Sequence, residues 1–339
     1  MEKTSVIIPR IEAPEHRPLW QQLLSQGIRS SEELLALLEI DSTKLKIQPS
    51  GGDFPLWVPR GFANRMARGD CHDPLLLQVL PTAAESVQSP GYQCDPLGEL
   101  HAMPAPGVLH KYRGRALLTV TGACAIHCRY CFRRHFPYSD ANPVNGNLQG
   151  SLDYLARQTE IHEIILSGGD PLTLSDARLQ SLTEQLAAIP QLRTLRIHTR
   201  LPVVLPERVD TGLLAWIARQ GLQVVIVVHC NHPNEIDSSV ITALQQLRSA
   251  GVTLLNQSVL LHRVNDNAAT LIRLSEDLFA AGVLPYYLHL LDKVQGAAHF
   301  AVSQETAKDL LAALRASLPG YLVPRLVRDI PGQHSKTPL

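Results

Sequence analysis

Cys124, Cys128 and Cys131 stand in the run Cys-Ala-Ile-His-Cys-Arg-Tyr-Cys, a Cys-x3-Cys-x2-Cys triplet. Three thiolates leave a four-coordinate cofactor one ligand short. Structural zinc is normally closed by four protein ligands, and iron–sulfur clusters that only transfer electrons usually take four cysteines. Two chemistries fit. His127 or His135 could complete a zinc site, or a 4Fe-4S cluster held by three thiolates could keep one iron open for an outside ligand. A second constellation, Ser167-Gly168-Gly169-Asp170-Pro171, combines glycines that let backbone approach a ligand closely with a carboxylate. By itself that pattern is an ordinary turn. The last segment, Asp329-Ile330-Pro331-Gly332-Gln333-His334-Ser335-Lys336-Thr337-Pro338-Leu339, carries a lysine that by itself reads as a solvated terminal residue.

These groups need a scaffold. Residues 116–121 read as a buried strand, a short apolar run rich in β-formers, so the cysteines leave a strand's C-terminal end, where barrel folds place their chemistry. Further strands are expected at 163–166, 194–198, 223–229, 252–260 and 285–291. Amphipathic helices are expected at 175–188, 210–220, 238–250, 268–281 and 303–316. Alternating strands and helices imply a parallel sheet with right-handed crossovers. Six such units make an α/β partial barrel, a (β/α)6 arrangement. The remaining strand ends carry His198-Thr199-Arg200, His229-Cys230-Asn231-His232-Pro233-Asn234-Glu235 and Asn256-Gln257-Ser258, a polar mouth on one face. Residues 1–104 read as a mainly helical accessory region without catalytic motifs of its own. Helices are expected there at 31–38 and 61–68, with a Pro/Gly-punctuated stretch over 49–59. Residues 105–300 form the barrel, and 301–339 a helix followed by the segment that carries Lys336.

Composition narrows the function classes. The chain has 339 residues, 45% hydrophobic, with Lys plus Arg and Asp plus Glu balanced at 31 each. A zero net charge gives no nucleic-acid-binding stripe and no surface for anionic membranes. The start lacks the basic-then-apolar order of a secretory signal, and the longest apolar run, around Val224 to Val228, is far shorter than the roughly 20 residues that span a bilayer. Six cysteines, three of them clustered, fit a reducing cytoplasm better than a disulfide framework. Cys71, Cys94 and Cys230 read as core or loop residues.

The triplet, its strand and the following Gly-Gly-Asp resemble the radical S-adenosylmethionine (SAM) enzymes. There SAM occupies the open iron, and electron transfer from the cluster releases a 5′-deoxyadenosyl radical. From about residue 50 onward the chain resembles, more narrowly, the lysine 2,3-aminomutase family. That resemblance implies three cofactors: a 4Fe-4S cluster, SAM and pyridoxal 5′-phosphate (PLP). It implies Cys124, Cys128 and Cys131 on the cluster, and Ser167, Gly168, Gly169, Asp170, Arg200, His229 and Gln257 around SAM. Lys336 becomes the lysine that holds PLP covalently, a task for an unprotonated amine, with Lys111, Tyr112 and Arg115 gripping the same cofactor. Arg133 would clamp the substrate carboxylate with its bidentate fork, while Asp292 and Asp329 receive the ε-ammonium. Lys111 replaces a family arginine, His289 a tyrosine near PLP, and Gln333-His334-Ser335 a glycine run.

The blocks Leu109-His110-Lys111-Tyr112, Cys131-Phe132-Arg133-Arg134-His135-Phe136-Pro137-Tyr138, Asp292-Lys293-Val294-Gln295-Gly296-Ala297-Ala298-His299-Phe300 and Ser335-Lys336-Thr337-Pro338-Leu339 are similar to the branch that serves β-lysylation of translation elongation factor P. The resemblance therefore implies conversion of α-lysine to β-lysine, a flavodoxin- or ferredoxin-type electron donor, and a functional link to elongation factor P and its lysine ligase. Oligomeric state stays open. Two alternatives also stay open. An aminomutase for another amino acid would keep the cysteines and Lys336 but would not need paired Asp292 and Asp329. A non-enzymatic iron–sulfur or zinc module would need neither Lys336 nor Arg133.

Overall fold

All six expected strands form, and they lie side by side in chain order. The structure, a computed structural model, describes residues 17–45, 47, 54–138 and 148–339. Its sheet has nine strands ordered β1 to β9. The predicted strands are β2 (Arg115–Thr121), β3 (Glu163–Gly168), β4 (Thr194–Thr199), β5 (Gln223–Val228), β6 (Thr253–Leu260) and β7 (Leu284–Leu290). They run parallel, and β8 (Arg325–Arg328) extends the parallel run by one. Two antiparallel strands, β1 (Val108–Tyr112) and β9 (Thr337–Pro338), border the sheet. The Tyr112 hydroxyl donates to Asp329 Oδ1 at 3.1 Å, joining the first strand to the loop after the eighth. That contact closes the curl of a partial barrel.

Helices fill the crossovers at Asp176–Ala187, Thr211–Ala218, Ser238–Ser249, Ala268–Ala280 and Gln304–Ser317. Each starts where the sequence places an N-cap. Ser175, Asp210, Asp237, Asn267 and Ser303 each accept a backbone N–H of the first turn. A further helix, Leu148–Arg157, precedes β3 and was not expected. The helix expected over 61–68 spans only Arg60–Ala63 before breaking into turns, while Ser31–Leu37 forms as expected. Of the stretch expected over 49–59, residues 49–53 lie outside the described residues.

The accessory region is packed into the barrel's own core. Trp20, Leu34, Phe62 and Leu75 belong to the same buried apolar cluster as Leu118, Leu166, Ile197 and Ile226. Along the strands, alternate residues turn the other way. Ile165 pairs with Arg196, and Val259 with His289, and all four face the barrel lumen. Among the described residues, no helix is long and apolar enough to cross a membrane.

Candidate active site

One cavity of about 460 Å³ fills the lumen and opens at the C-terminal ends of the strands. Every residue proposed above for a cofactor or the substrate lines it. The volume lies in the range of ordinary ligand pockets. How each side chain is held differs from expectation in several places.

The cysteine loop is fixed from outside. The backbone N–H of Cys131 donates to the Cys128 carbonyl at 3.0 Å, and that of Arg129 to the Gln78 carbonyl at 2.8 Å. The Arg129 guanidinium is buried against Glu85, which also takes Arg134 at 2.7 Å. Burial pushes the Cys131 thiol up to about 11, assisted by Cys128, and Cys124 rises for the same reason. Cofactor binding must therefore displace protons. His127 Nδ1 lies 2.8 Å from the Pro55 carbonyl, and His135 Nε2 lies 3.3 Å from that of Gln295. Neither histidine is committed to the thiols. Among the described residues, no three His, Cys, Asp or Glu side chains are arranged around a single metal ion. All three cysteines line the cavity.

The glycines of Gly168-Gly169-Asp170 serve the protein's own backbone. A Cβ at Gly168 would meet the Thr121 carbonyl oxygen at 2.4 Å, and one at Gly169 the Ala123 oxygen at 2.2 Å. Gly168 also has φ of +119°, which only glycine adopts readily. The backbone N–H groups of Gly169 and Asp170 donate to those same carbonyls at 2.7 Å. The segment thus clamps the start of the cysteine loop while its face lines the cavity. The Asp170 carboxylate is turned away from a ligand role: it accepts from Thr199 Oγ1 at 2.7 Å and from the backbone N–H groups of Arg200 and Leu201 at 2.7 and 3.1 Å.

Arg133 is buried with its fork already engaged. Nε and Nη2 donate to the two carboxylate oxygens of Glu99 at 2.6 and 3.0 Å, and Nη1 donates to Ser167 Oγ at 2.9 Å. Lys111 Nζ also reaches Glu99, at 3.3 Å. The accessory region, read from sequence as lacking catalytic motifs, thus places a carboxylate between the two cations assigned to PLP and substrate. Glu99, Gln78 and Glu85 were all missed.

At the opposite wall the two predicted acids are not equivalent. Asp329 is bonded by Lys336 Nζ at 3.1 Å and by the Tyr112 hydroxyl. Among the described residues Asp292 has no side-chain hydrogen-bond partner, and it lines the cavity. Burial pushes its carboxyl up to about 7, with Lys336 pulling down and Asp329 pushing up. Lys336 Nζ lies 5.8 Å from the Tyr287 ring centre, and the Arg115 guanidinium stacks over Tyr112 at 4.5 Å. His229 Nε2 lies 2.8 Å from Gln257 Nε2, and burial brings the imidazole down to about 3, leaving it neutral. His198 and His289 are likewise lowered by burial. Their Nε2 atoms are buried without a partner. Buried polar atoms are rarely left so, and two of them lining one cavity fit a polar cofactor there. Asn256 and Ser258 point the other way, into bonds with the backbone of Cys230.

The family model of the 4Fe-4S single cluster domain matches residues 113–195, the span from β2 through the cysteine loop to the start of β4. The L-lysine 2,3-aminomutase of Escherichia coli is 51% identical over 94% of each chain, and that of Haemophilus influenzae 46% identical over 98% of each. The L-lysine 2,3-aminomutase of Clostridium subterminale is 37% identical over 80% of this chain and 65% of its own.

Proposed function

Because this chain belongs to the lysine 2,3-aminomutase family of isomerases, we propose that it converts L-α-lysine to β-lysine, and that the product serves modification of translation elongation factor P. Its cofactors are a 4Fe-4S cluster, SAM and PLP. When bound, they supply a hydrogen-abstracting radical and a carrier for the migrating nitrogen, chemistry that side chains lack. One observation carries the reading: a single cavity joins three cysteines, a buried arginine, a lysine and an acid without a partner. Cys124, Cys128 and Cys131 hold the cluster, and Gly168, Gly169, His229 and Gln257 border the space for SAM beside it. Lys336 takes PLP, with Lys111 and Arg115 facing its phosphate. Arg133, its fork held by Glu99 and Ser167, faces the substrate carboxylate, and Asp292 meets the ε-ammonium. The link to elongation factor P is supported by the sequence blocks that begin at Leu109, Cys131, Asp292 and Ser335.

Anaerobic incubation with reductant, SAM, PLP and labelled α-lysine, followed by separation of α- and β-lysine, tests the activity. SAM turnover without β-lysine would refute lysine as the substrate. Transfer of the product to elongation factor P by its ligase tests the second half.

The Asp292 carboxyl gives this reaction a pH dependence. An empty pocket holds it largely protonated below about 7, whereas a bound ammonium requires the carboxylate. Lysine binding must then release a proton, so kcat/KM for lysine should fall up to about tenfold per pH unit below that value and level off above it. Asp292→Asn should turn over far less and lose this slope; a retained slope assigns the titration elsewhere.

Glu99→Gln keeps the shape of the Arg133 clamp but removes its counter-charge. Breaking a buried pair from one side costs about 3 to 5 kcal/mol, and the free guanidinium should reorient. The expected result is a KM for lysine raised tenfold or more, a smaller change in kcat, and unchanged iron content. A lower KM would instead show that Glu99 competes with substrate for Arg133.

A further inference from the structure

Arg200, just past the end of β4, has its guanidinium buried beside the cysteine loop. Nη1 donates to Cys128 Sγ at 2.8 Å. Nη2 donates to Gln78 Oε1 at 2.7 Å and to Glu235 Oε2 at 3.0 Å. Its main chain is pinned as well, by the bond from its N–H to Asp170. Glu235 is fully buried and anchored in turn, accepting at Oε1 from Gln78 Nε2 at 3.1 Å and from the backbone N–H groups of Asn231 and His232 at 3.0 and 3.1 Å. The Tyr130 and Phe62 rings lie 5.8 and 5.4 Å from the guanidinium carbon. Held from both ends, the guanidinium has one Nη left, and it points at a cysteine sulfur. Arg200 and Glu235 form an oriented pair, cation toward the thiol and anion one group further away.

The sequence reading set Arg200 against SAM. We propose instead that Arg200 is a positioning residue of the cluster: its N–H bond to the Cys128 sulfur stabilises the reduced cluster, and Glu235 opposes it. The inference rests on the assignment of the three cysteines to a 4Fe-4S cluster and is independent of which amino acid is the substrate. The chemistry is a one-electron step. An external reductant gives one electron to the cluster, no bond is made or broken, and the site gains one negative charge. Net charge, hydrogen bonds to sulfur and solvent exposure set the potential of such clusters. In a buried site of low effective dielectric a contacting cation weighs heavily. The arginine therefore favours reduction, and the carboxylate behind it restrains that preference while fixing the fork.

The two residues should shift the potential in opposite directions. Arg200→Gln removes the donor and leaves Glu235 facing the cluster, so the midpoint potential should fall by at least a tenfold change in the reduction equilibrium, about 59 mV for one electron. Glu235→Gln should raise it by a smaller step, and Arg200→Lys should fall between the parent and Arg200→Gln. The measurement is an anaerobic dithionite titration of the reconstituted full-length protein followed by electron paramagnetic resonance, with iron and sulfide assayed in each variant. Glu235→Gln keeps the arginine, so the test stands even if Arg200→Gln fails to take up a cluster. Less than a threefold change in the equilibrium in the loaded variants, or shifts of the same sign, would overturn the proposal. Failure of the parent protein to hold four irons would overturn the cluster assignment beneath it.

Discussion

Alanine at any one of Cys124, Cys128 or Cys131 is expected to abolish SAM cleavage and to deplete iron. The three thiols line one cavity wall, and the loop between them is too constrained to recruit a substitute. Arg129 and Arg134 are tied to Glu85 from behind, and the two nearby histidines are spent on the backbone of Pro55 and Gln295. A cluster left with two thiolates would be open at two irons and labile. Anaerobic visible spectra, iron content and release of 5′-deoxyadenosine check this directly. The fold should survive, since the cysteine loop hangs from β2, whose Leu118 and Val120 are fully buried in the main core. Full iron and normal cleavage in all three variants would remove the cluster from these cysteines.

What could be read in the sequence follows from how local its signal is. β2, β3 and β5 are short apolar runs buried on both faces, and β4 and β6 alternate. Either pattern is visible within a few residues. The crossover helices announce themselves by a Ser, Asp or Asn cap. In contrast, β8 is Arg-Leu-Val-Arg, two apolar residues between charges, and β9 has only two residues. Their pairing comes from neighbours, not from propensity. The helix Leu148–Arg157 carries Gly150 and little apolar content in its first turn, and it is held by its buried Leu152 and Leu155.

The site divides in the same way. The cysteine triplet, Arg133, Asp292, Asp329 and Lys336 all line the cavity, whereas Asn256 and Ser258 of the expected polar mouth turn to the Cys230 backbone. The residues that orient the site did not show. Glu99 meets Arg133 across 34 residues, Glu85 meets Arg129 across 44, and Gln78 meets Arg200 across 122. A buried acid pairing with a distant arginine looks, in sequence, like any surface charge. Only burial distinguishes the two, because an unpaired charge could not persist there. The accessory region thus contributes orientation to the site without supplying a motif.

Lys336→Ala should lose the visible absorbance of bound PLP and all lysine turnover while keeping four irons and the cluster spectrum. The two cofactors have separate ligands, since Lys336 Nζ contacts Asp329 and faces Tyr287 rather than the cysteine loop. Among the lysines of the described residues, only Lys111 and Lys336 line the cavity. Lys111 is paired with Glu99, so a covalent partner for PLP must come from one position or the other. Borohydride reduction of the PLP-loaded protein, followed by peptide mapping, should put the label on Lys336. The substitution also has a consequence for the acids. Asp329 loses its cation and keeps the Tyr112 hydroxyl, while Asp292 loses the attraction that holds its carboxyl down. Both carboxylates would then be poorly balanced, so added methylamine, a small cation able to enter the vacated space, should partly restore PLP binding. Label on Lys111, Lys293 or Lys308 instead would place the cofactor elsewhere and leave Lys336 as the counter-ion of Asp329 alone.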